Sequence, residues 1–286
     1  MRVRGVAPPA AVDCTRRRDL LLSAAMRVAA LLVACLVTDA AALTGRDVID
    51  AAQRAHRFST WRTRTLQALM QSYDGETLAR ERDIDVAEQT DPRGDHKTLI
   101  AFKGPADVQG TLFLHLSPRG KRDEQWLFTP QTRRARRLAE AQQEENFFGS
   151  DLSYRDLELI VRIQQWTDAE AKATLLADET VDGKPCHVVE LVPVDREEFP
   201  YARYRLWFAV ADDLLWRVDV HGDDDKVVKR VLFRKYERVQ DYGTAVEADV
   251  ANPSAGTHTR FTMREVKYDA DVPETLFTVA NLSKGQ

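Results

Sequence analysis

The chain has 286 residues, 44% of them hydrophobic and 30% charged, with a net charge of −4 at pH 7. That balance supports one substantial core and excludes the strongly basic character of a general nucleic-acid binder. Only Cys186 of the three cysteines lies beyond residue 35, which excludes a disulfide framework or a cysteine-rich metal site there.

The first 42 residues read as a secretory signal peptide. Met26-Arg27 precedes a mostly apolar run from Val28 to Val37, and Ala40-Ala41-Ala42 supplies the small residues of a cleavage site. The run is well short of the roughly 20 residues of a membrane span. Cleavage at Ala42 leaves residues 43–286 as one domain. Removing six arginines and three acidic residues from 41 basic and 45 acidic side chains leaves that domain a net charge of −7. Arg16-Arg17-Arg18-Asp19-Leu20-Leu21 loosely resembles a twin-arginine signal, and Met26 is an alternative start. Leu32-Val33-Ala34-Cys35 fits a lipoprotein signal, so anchoring through Cys35 is the alternative to a soluble form.

Residues 43–52 predict a helix capped by Thr44, with Val48, Ala51, Ala52 and Ala55 on one stripe. Beyond it the signals are those of strands. Runs 61–71 and 76–86 flank Tyr73-Asp74-Gly75, where Asp-Gly suits a tight hairpin turn. Run 97–103 ends at Gly104-Pro105. Strict alternation over 111–117 places Leu112, Leu114 and Leu116 on one face and Thr111, Phe113, His115 and Ser117 on the other. Run 124–129 puts Trp126 and Phe128 on one face, and 133–138 is a basic strand. Strands follow at 173–181, 187–194, 203–210, 214–220, 227–239, 244–250 and 257–268, then a helical turn at 273–277. The pattern of about eleven closely spaced strands predicts an antiparallel sandwich or barrel.

Between the two halves lies 144–160, where Phe147-Phe148-Gly149 precedes a short helix capped by Ser153 with Asp156 three residues on. That pairing is a capping box with Asp in place of Glu or Gln. The Phe pair is either core or a lid over an apolar cavity. Ser150, Asp151 and Asp156 read as turn and cap residues, not catalytic ones.

Chemistry-bearing patterns are sparse, and no enzyme activity, metal or cofactor is implied. His56, His96, His115, His187, His221 and His258 are scattered, and none has a partner at ligand spacing. There is no nucleophile elbow and no phosphate-binding glycine loop. Asp223-Asp224-Asp225 lacks the longer ligand ladder of a calcium loop and reads as a hairpin tip. Arg133-Arg134-Ala135-Arg136-Arg137 is the one dense basic run. It suits either an anionic headgroup or acidic partner, or a charged edge strand that resists aggregation.

Several segments together resemble the outer-membrane lipoprotein-sorting (LolA/LolB-like) proteins, in a largely uncharacterised branch. They are Leu43-Thr44-Gly45-Arg46-Asp47, Lys97-Thr98-Leu99-Ile100, and Gly104 to Thr111. The others are Asp123 to Pro130, the run from Arg133 to Leu138, Phe148 to Leu157, and Val181-Asp182-Gly183-Lys184-Pro185-Cys186. The resemblance implies a mainly β fold, an incomplete antiparallel barrel with a few helices over its concave apolar face. It also implies work in the periplasm, between two membranes. The expected function is a carrier that binds lipid or lipoprotein acyl chains for delivery toward the outer membrane. Trp126, Phe128, Phe147, Phe148, Tyr154 and Leu157 are its candidate lipid-binding residues, with the Phe pair read as lid or rim. The alternative is an accessory or sensor protein docking on an envelope transporter or signalling complex through the arginine run. Peripheral membrane contact fits either; a nucleic acid fits neither.

Overall fold

The computed structural model describes residues 42–56, 60–119, 121–163, 166–196 and 199–285. Residues 1–41, where a signal peptide is expected and where Cys14 and Cys35 fall, lie outside the described residues; Ala42 is the first described and is exposed.

Helix α1 (Gly45–His56) opens the fold. Thr44 and Asp47 cap it reciprocally: the Thr44 N–H donates to Asp47 Oδ2 at 2.9 Å, and the Asp47 N–H donates to Thr44 Oγ1 at 3.2 Å. Its buried stripe is Val48, Ile49 and Ala52, rotated from the predicted one so that Ala55 is exposed.

Six strands follow: β1 (Thr63–Asp74), β2 (Thr77–Thr90), β3 (His96–Gly104), β4 (Leu112–Ser117), β5 (Glu124–Thr129) and β6 (Arg134–Arg137). A crossover segment holds α2 (Glu140–Gln143), a 3-10 turn (Phe147–Gly149) and α3 (Tyr154–Arg162). The second half contributes β7 (Ala171–Leu175), β8 (Glu179–Val181), β9 (Lys184–Pro193), β10 (Arg203–Ala209) and β11 (Leu215–His221). It continues with β12 (Val227–Val239), β13 (Tyr242–Asn252) and β14 (Thr257–Tyr268), then a 3-10 turn (Glu274–Phe277) and α4 (Val279–Leu282).

Among the described residues fourteen strands, where the sequence predicts about eleven, form one antiparallel sheet. The order is β6-β5-β4-β3-β2-β1-β14-β13-β12-β11-β10-β9-β7, with β8 also on β9. Part of the difference is that the run at 173–181 resolves into β7 and β8, which pair with different stretches of β9. Neighbours in sequence are mostly neighbours in the sheet, because tight turns join them. Asp182 and Gly183, at φ 47° and 79°, form the left-handed pair that a two-residue hairpin needs. The two halves meet where β1 pairs with β14. The sheet does not close, so β6 and β7 are its edges. Helix α1 lies against β7: a Cβ on Gly45 would sit 2.9 Å from the Thr174 backbone, so glycine permits the approach.

Alternate residues of a strand face opposite sides, and the chain buries both. We call inner the face that carries the crossover segment. One row of paired residues runs Leu206, Val218, Val231, Val250, Thr259, Ser72. The next includes Phe233, Ala248, Phe261 and Met70. All are inner. They join a cluster under α1 and α3 in the second half to a cluster around Phe102, Phe113 and Phe147 in the first. On the outer face, Leu99, Leu112, Leu114 and Phe128 pack under Leu276, Phe277, Val279 and Leu282 of the C-terminal segment. Helices therefore cover parts of both faces. The outer side of β11–β14 is instead ionic, whereas that of β9 and β10 holds an apolar cluster of Cys186, Val188, Trp207 and Ala209. Asp219 receives Arg217 and Arg230, and Asp249 receives Arg234 and Arg260. Burial disfavours ionisation of both carboxyls, but these guanidinium hydrogen bonds outweigh it and hold them below the usual range.

Candidate functional site

The crossover segment is a strap over the inner face, and its local sequence explains its shape. Phe148 at φ 49° and Gly149 at φ 80° turn the chain sharply after Phe147. A Cβ on Gly149 would also lie 3.1 Å from Arg80 Cδ. Phe147 is 1% exposed, with its ring 5.4 Å from Phe113 and 5.3 Å from Tyr154. Phe148 is half-buried and rests on Phe102 at 4.1 Å. Left-handed backbone at a phenylalanine costs about 1–3 kcal/mol. The contact with Phe102 helps to offset it.

Two aspartates fasten the strap to the sheet. The Asp151 N–H donates to Thr259 Oγ1 at 3.0 Å, the Thr259 hydroxyl donates to Asp151 Oδ2 at 2.7 Å, and Thr257 bonds the other carboxylate oxygen. Asp156 accepts the Ser153 N–H at 2.6 Å, the predicted capping box, and the Tyr201 hydroxyl at 2.8 Å. Lys229 of β12 pairs with the same carboxylate. Burial, reinforced by Asp156, pushes the Tyr201 hydroxyl far above its ordinary range. Tyr154 and Leu157 then pack in the first-half cluster, and Leu159 and Ile163 in the second. The strap thus bridges both.

Beside it the inner face is apolar but incompletely covered. Val86, Phe233, Phe261, Met263 and Val266 pack against the two clusters yet remain half-exposed on the central strands. This strip is the candidate binding surface. Toward one end it meets a polar group: Arg64 pairs with Glu88, and His96 lies between Thr90 at 2.9 Å and Thr98 at 3.2 Å. Burial first, with repulsion from His115 and Arg64, lowers the His96 pKa to about 4 despite Glu88 and Asp123. His115 itself is bonded to Asp123 at 2.8 Å.

The six predicted lipid-contact residues do not share a surface. Phe147, Phe148, Tyr154 and Leu157 are inner and clustered, with Phe147 filling the core rather than rimming a cavity. Trp126 and Phe128 are outer, beneath the C-terminal segment. Two adjoining clefts of about 440 and 350 Å³ share Gln67 and Asp85, which alternate with the inner-facing Leu66, Ala68, Ile84 and Val86 and so open outward. Phe233, Phe261 and Met263 join the strip without being among the expected contact residues. The alternation of Thr259, Phe261 and Met263 with Arg260, Thr262 and Arg264 carried that signal.

The arginine run holds the β6 edge. Arg133 sits in a turn at φ 51°, so the strand begins one residue later than expected. Arg134 and Arg136 lie on the side of inner-facing Leu127, and Arg137 opposes outer-facing Trp126. The acidic tip is occupied internally: Asp223 pairs with Arg196, Asp224 with Lys226, and Asp225 with Arg203. Cys186 is buried, and burial raises its thiol pKa.

A family model described as "Uncharacterized protein" matches residues 94–284. Among solved structures, a DUF1329 family protein from Desulfovibrio piger is 26% identical, with a TM-score of 0.75, covering 83% of this chain and 98% of that one. An outer membrane lipoprotein-sorting protein domain from Vibrio parahaemolyticus is 22% identical, with a TM-score of 0.73 and coverage of 84% and 99%. A LolA superfamily protein from Nitrosomonas europaea is 14% identical, with a TM-score of 0.62 and coverage of 83% and 98%. No curated protein matches the chain. The chain belongs to the uncharacterised family whose model spans residues 94–284, and its fold is similar to that of the lipoprotein-sorting and LolA superfamily structures.

Proposed function

We propose that this protein is a carrier that holds the acyl chains of a lipid or lipoprotein against the inner face and delivers them toward the outer membrane from the periplasm. The observation that carries the reading is the half-exposed strip of Val86, Phe233, Phe261, Met263 and Val266, bordered by the strap. Burying acyl carbon contributes about 0.8 kcal/mol per methylene, so about fifteen methylenes correspond to roughly 12 kcal/mol of transfer free energy. A surface of aromatic, Met and Val side chains supplies this without a catalytic group. The strap is suited to admit a chain because polar bonds at Asp151 and Asp156 hold it over the sheet, alongside the packing of its aromatic residues. The fold likeness to lipoprotein-sorting domains supports the same reading.

Gentle purification followed by native mass spectrometry and lipid extraction tests it. Recovery of a bound amphiphile is the expected result. No recovered lipid, together with no uptake of a fluorescent fatty acid, contradicts it.

A further inference from the structure

The β6 edge holds a charge density that the inner-face site does not use. Arg133, Arg134, Arg136 and Arg137 are all exposed, and Lys121 and Arg122 of the β4–β5 hairpin are exposed as well. The chain as a whole is acidic, at −4. Nearby acids cancel only part of the patch. Glu140 pairs with Arg122, Glu124 with Arg137, and Asp123 is turned inward to His115. Gln142 accepts from Arg136 at 2.8 Å. Arg133 and Arg134 have no side-chain partner among the described residues.

We propose that the β6 edge is a docking surface for an anionic lipid bilayer. Guanidinium forks match phosphate oxygens in pairs, and a strand end presents several of them side by side. A protein partner would need an apolar centre to its interface. Among the described residues the exposed large hydrophobics are Leu43, Leu78, Val192, Val194 and Val210, and none lies in 121–145. The edge also adjoins the strap, because Arg136 donates to Gln142 of its helix α2 at 2.8 Å. Docking there sets the strap beside the membrane. The proposal does not require cargo, so lipid-stripped protein tests it apart from the carrier reading.

The experiment is co-sedimentation of the full chain with vesicles of phosphatidylcholine alone or mixed with phosphatidylglycerol, at rising salt. Binding is expected only to the anionic vesicles and is expected to weaken with salt. Each basic residue near such a surface contributes roughly fivefold, so Arg133→Glu with Arg134→Glu lowers partitioning by about twentyfold or more. Both side chains are exposed, which spares the fold. The matched reversal Arg264→Glu with Lys267→Glu, on the outer face, leaves partitioning within about twofold. No binding to anionic vesicles overturns the proposal, as does equal loss in the two variants. Capture of polyglutamate without vesicle binding overturns it in favour of an acidic protein partner.

Discussion

Phe147 and Phe148 are adjacent in sequence and differ in role. Phe147 is enclosed by Phe102, Phe113 and Tyr154, whereas Phe148 keeps one side open. Phe147→Ala should cost about 3–5 kcal/mol in urea unfolding, the range for emptying a packed aromatic site. Phe148→Ala should cost well under half of that, because less surface is lost and the vacated space is already open to solvent. Equal costs would mean that both rings belong to the core. His96 provides a second residue-scale prediction. Its folded pKa lies below the ordinary value, so on acidification the unfolded chain takes up the proton first. Its contribution is therefore intact above pH 6.5 and is lost as pH falls from 6.5 to about 4. The full loss is of the order of 3 kcal/mol. Urea midpoints across that window should fall in the wild type and stay flatter in His96→Gln. Parallel profiles would remove His96 as the cause. Neither residue's role was legible in the sequence, because both depend on neighbours many residues away.

Local elements were more legible. The Ser153–Asp156 capping box, the Thr44 cap and the Asp74-Gly75 turn depend only on residues within a few positions, and sequence patterns report such short-range chemistry. Strand alternation likewise separated Trp126 and Phe128 from their neighbours. It could not say which face the strap would cover, because that is decided by contacts of Phe147 with Phe102 and of Phe128 with the C-terminal segment. The second function of Asp156 was equally hidden, since Lys229 and Tyr201 lie on later elements. Asp156→Asn keeps an oxygen for the Ser153 amide but leaves Lys229, itself only 15% exposed, without a counter-charge. Loss of one buried partner is worth about 3 kcal/mol, so amide exchange across 150–163 should accelerate by about a hundredfold. Exchange in β1 and β14 should not change. Uniform acceleration would show that the pair stabilises the whole sheet rather than the strap.

At the scale of the molecule, the sheet is open and its two faces are built for different surroundings. The outer face is covered by the C-terminal segment at one end, by arginine–aspartate pairs along β11–β14, and by an apolar cluster around Trp207 on β9 and β10. The inner face is apolar from Leu206 across to Ile84 and is bridged, not filled, by the strap. Strand composition forecast a continuous antiparallel fold with apolar faces. The pairing of β1 with β14, which makes the inner strip continuous, joins the two ends of the chain and is invisible to local pattern. In the proposed function the acyl chains lie on this inner strip. Fluorescent fatty-acid titration of two tryptophan variants tests it most directly: Met263→Trp on the inner strip and Leu69→Trp at an outward-opening cleft. Met263→Trp should weaken binding by about tenfold or more, about 1.4 kcal/mol, while Leu69→Trp should bind like the wild type. Weakened binding in Leu69→Trp with normal binding in Met263→Trp would contradict it.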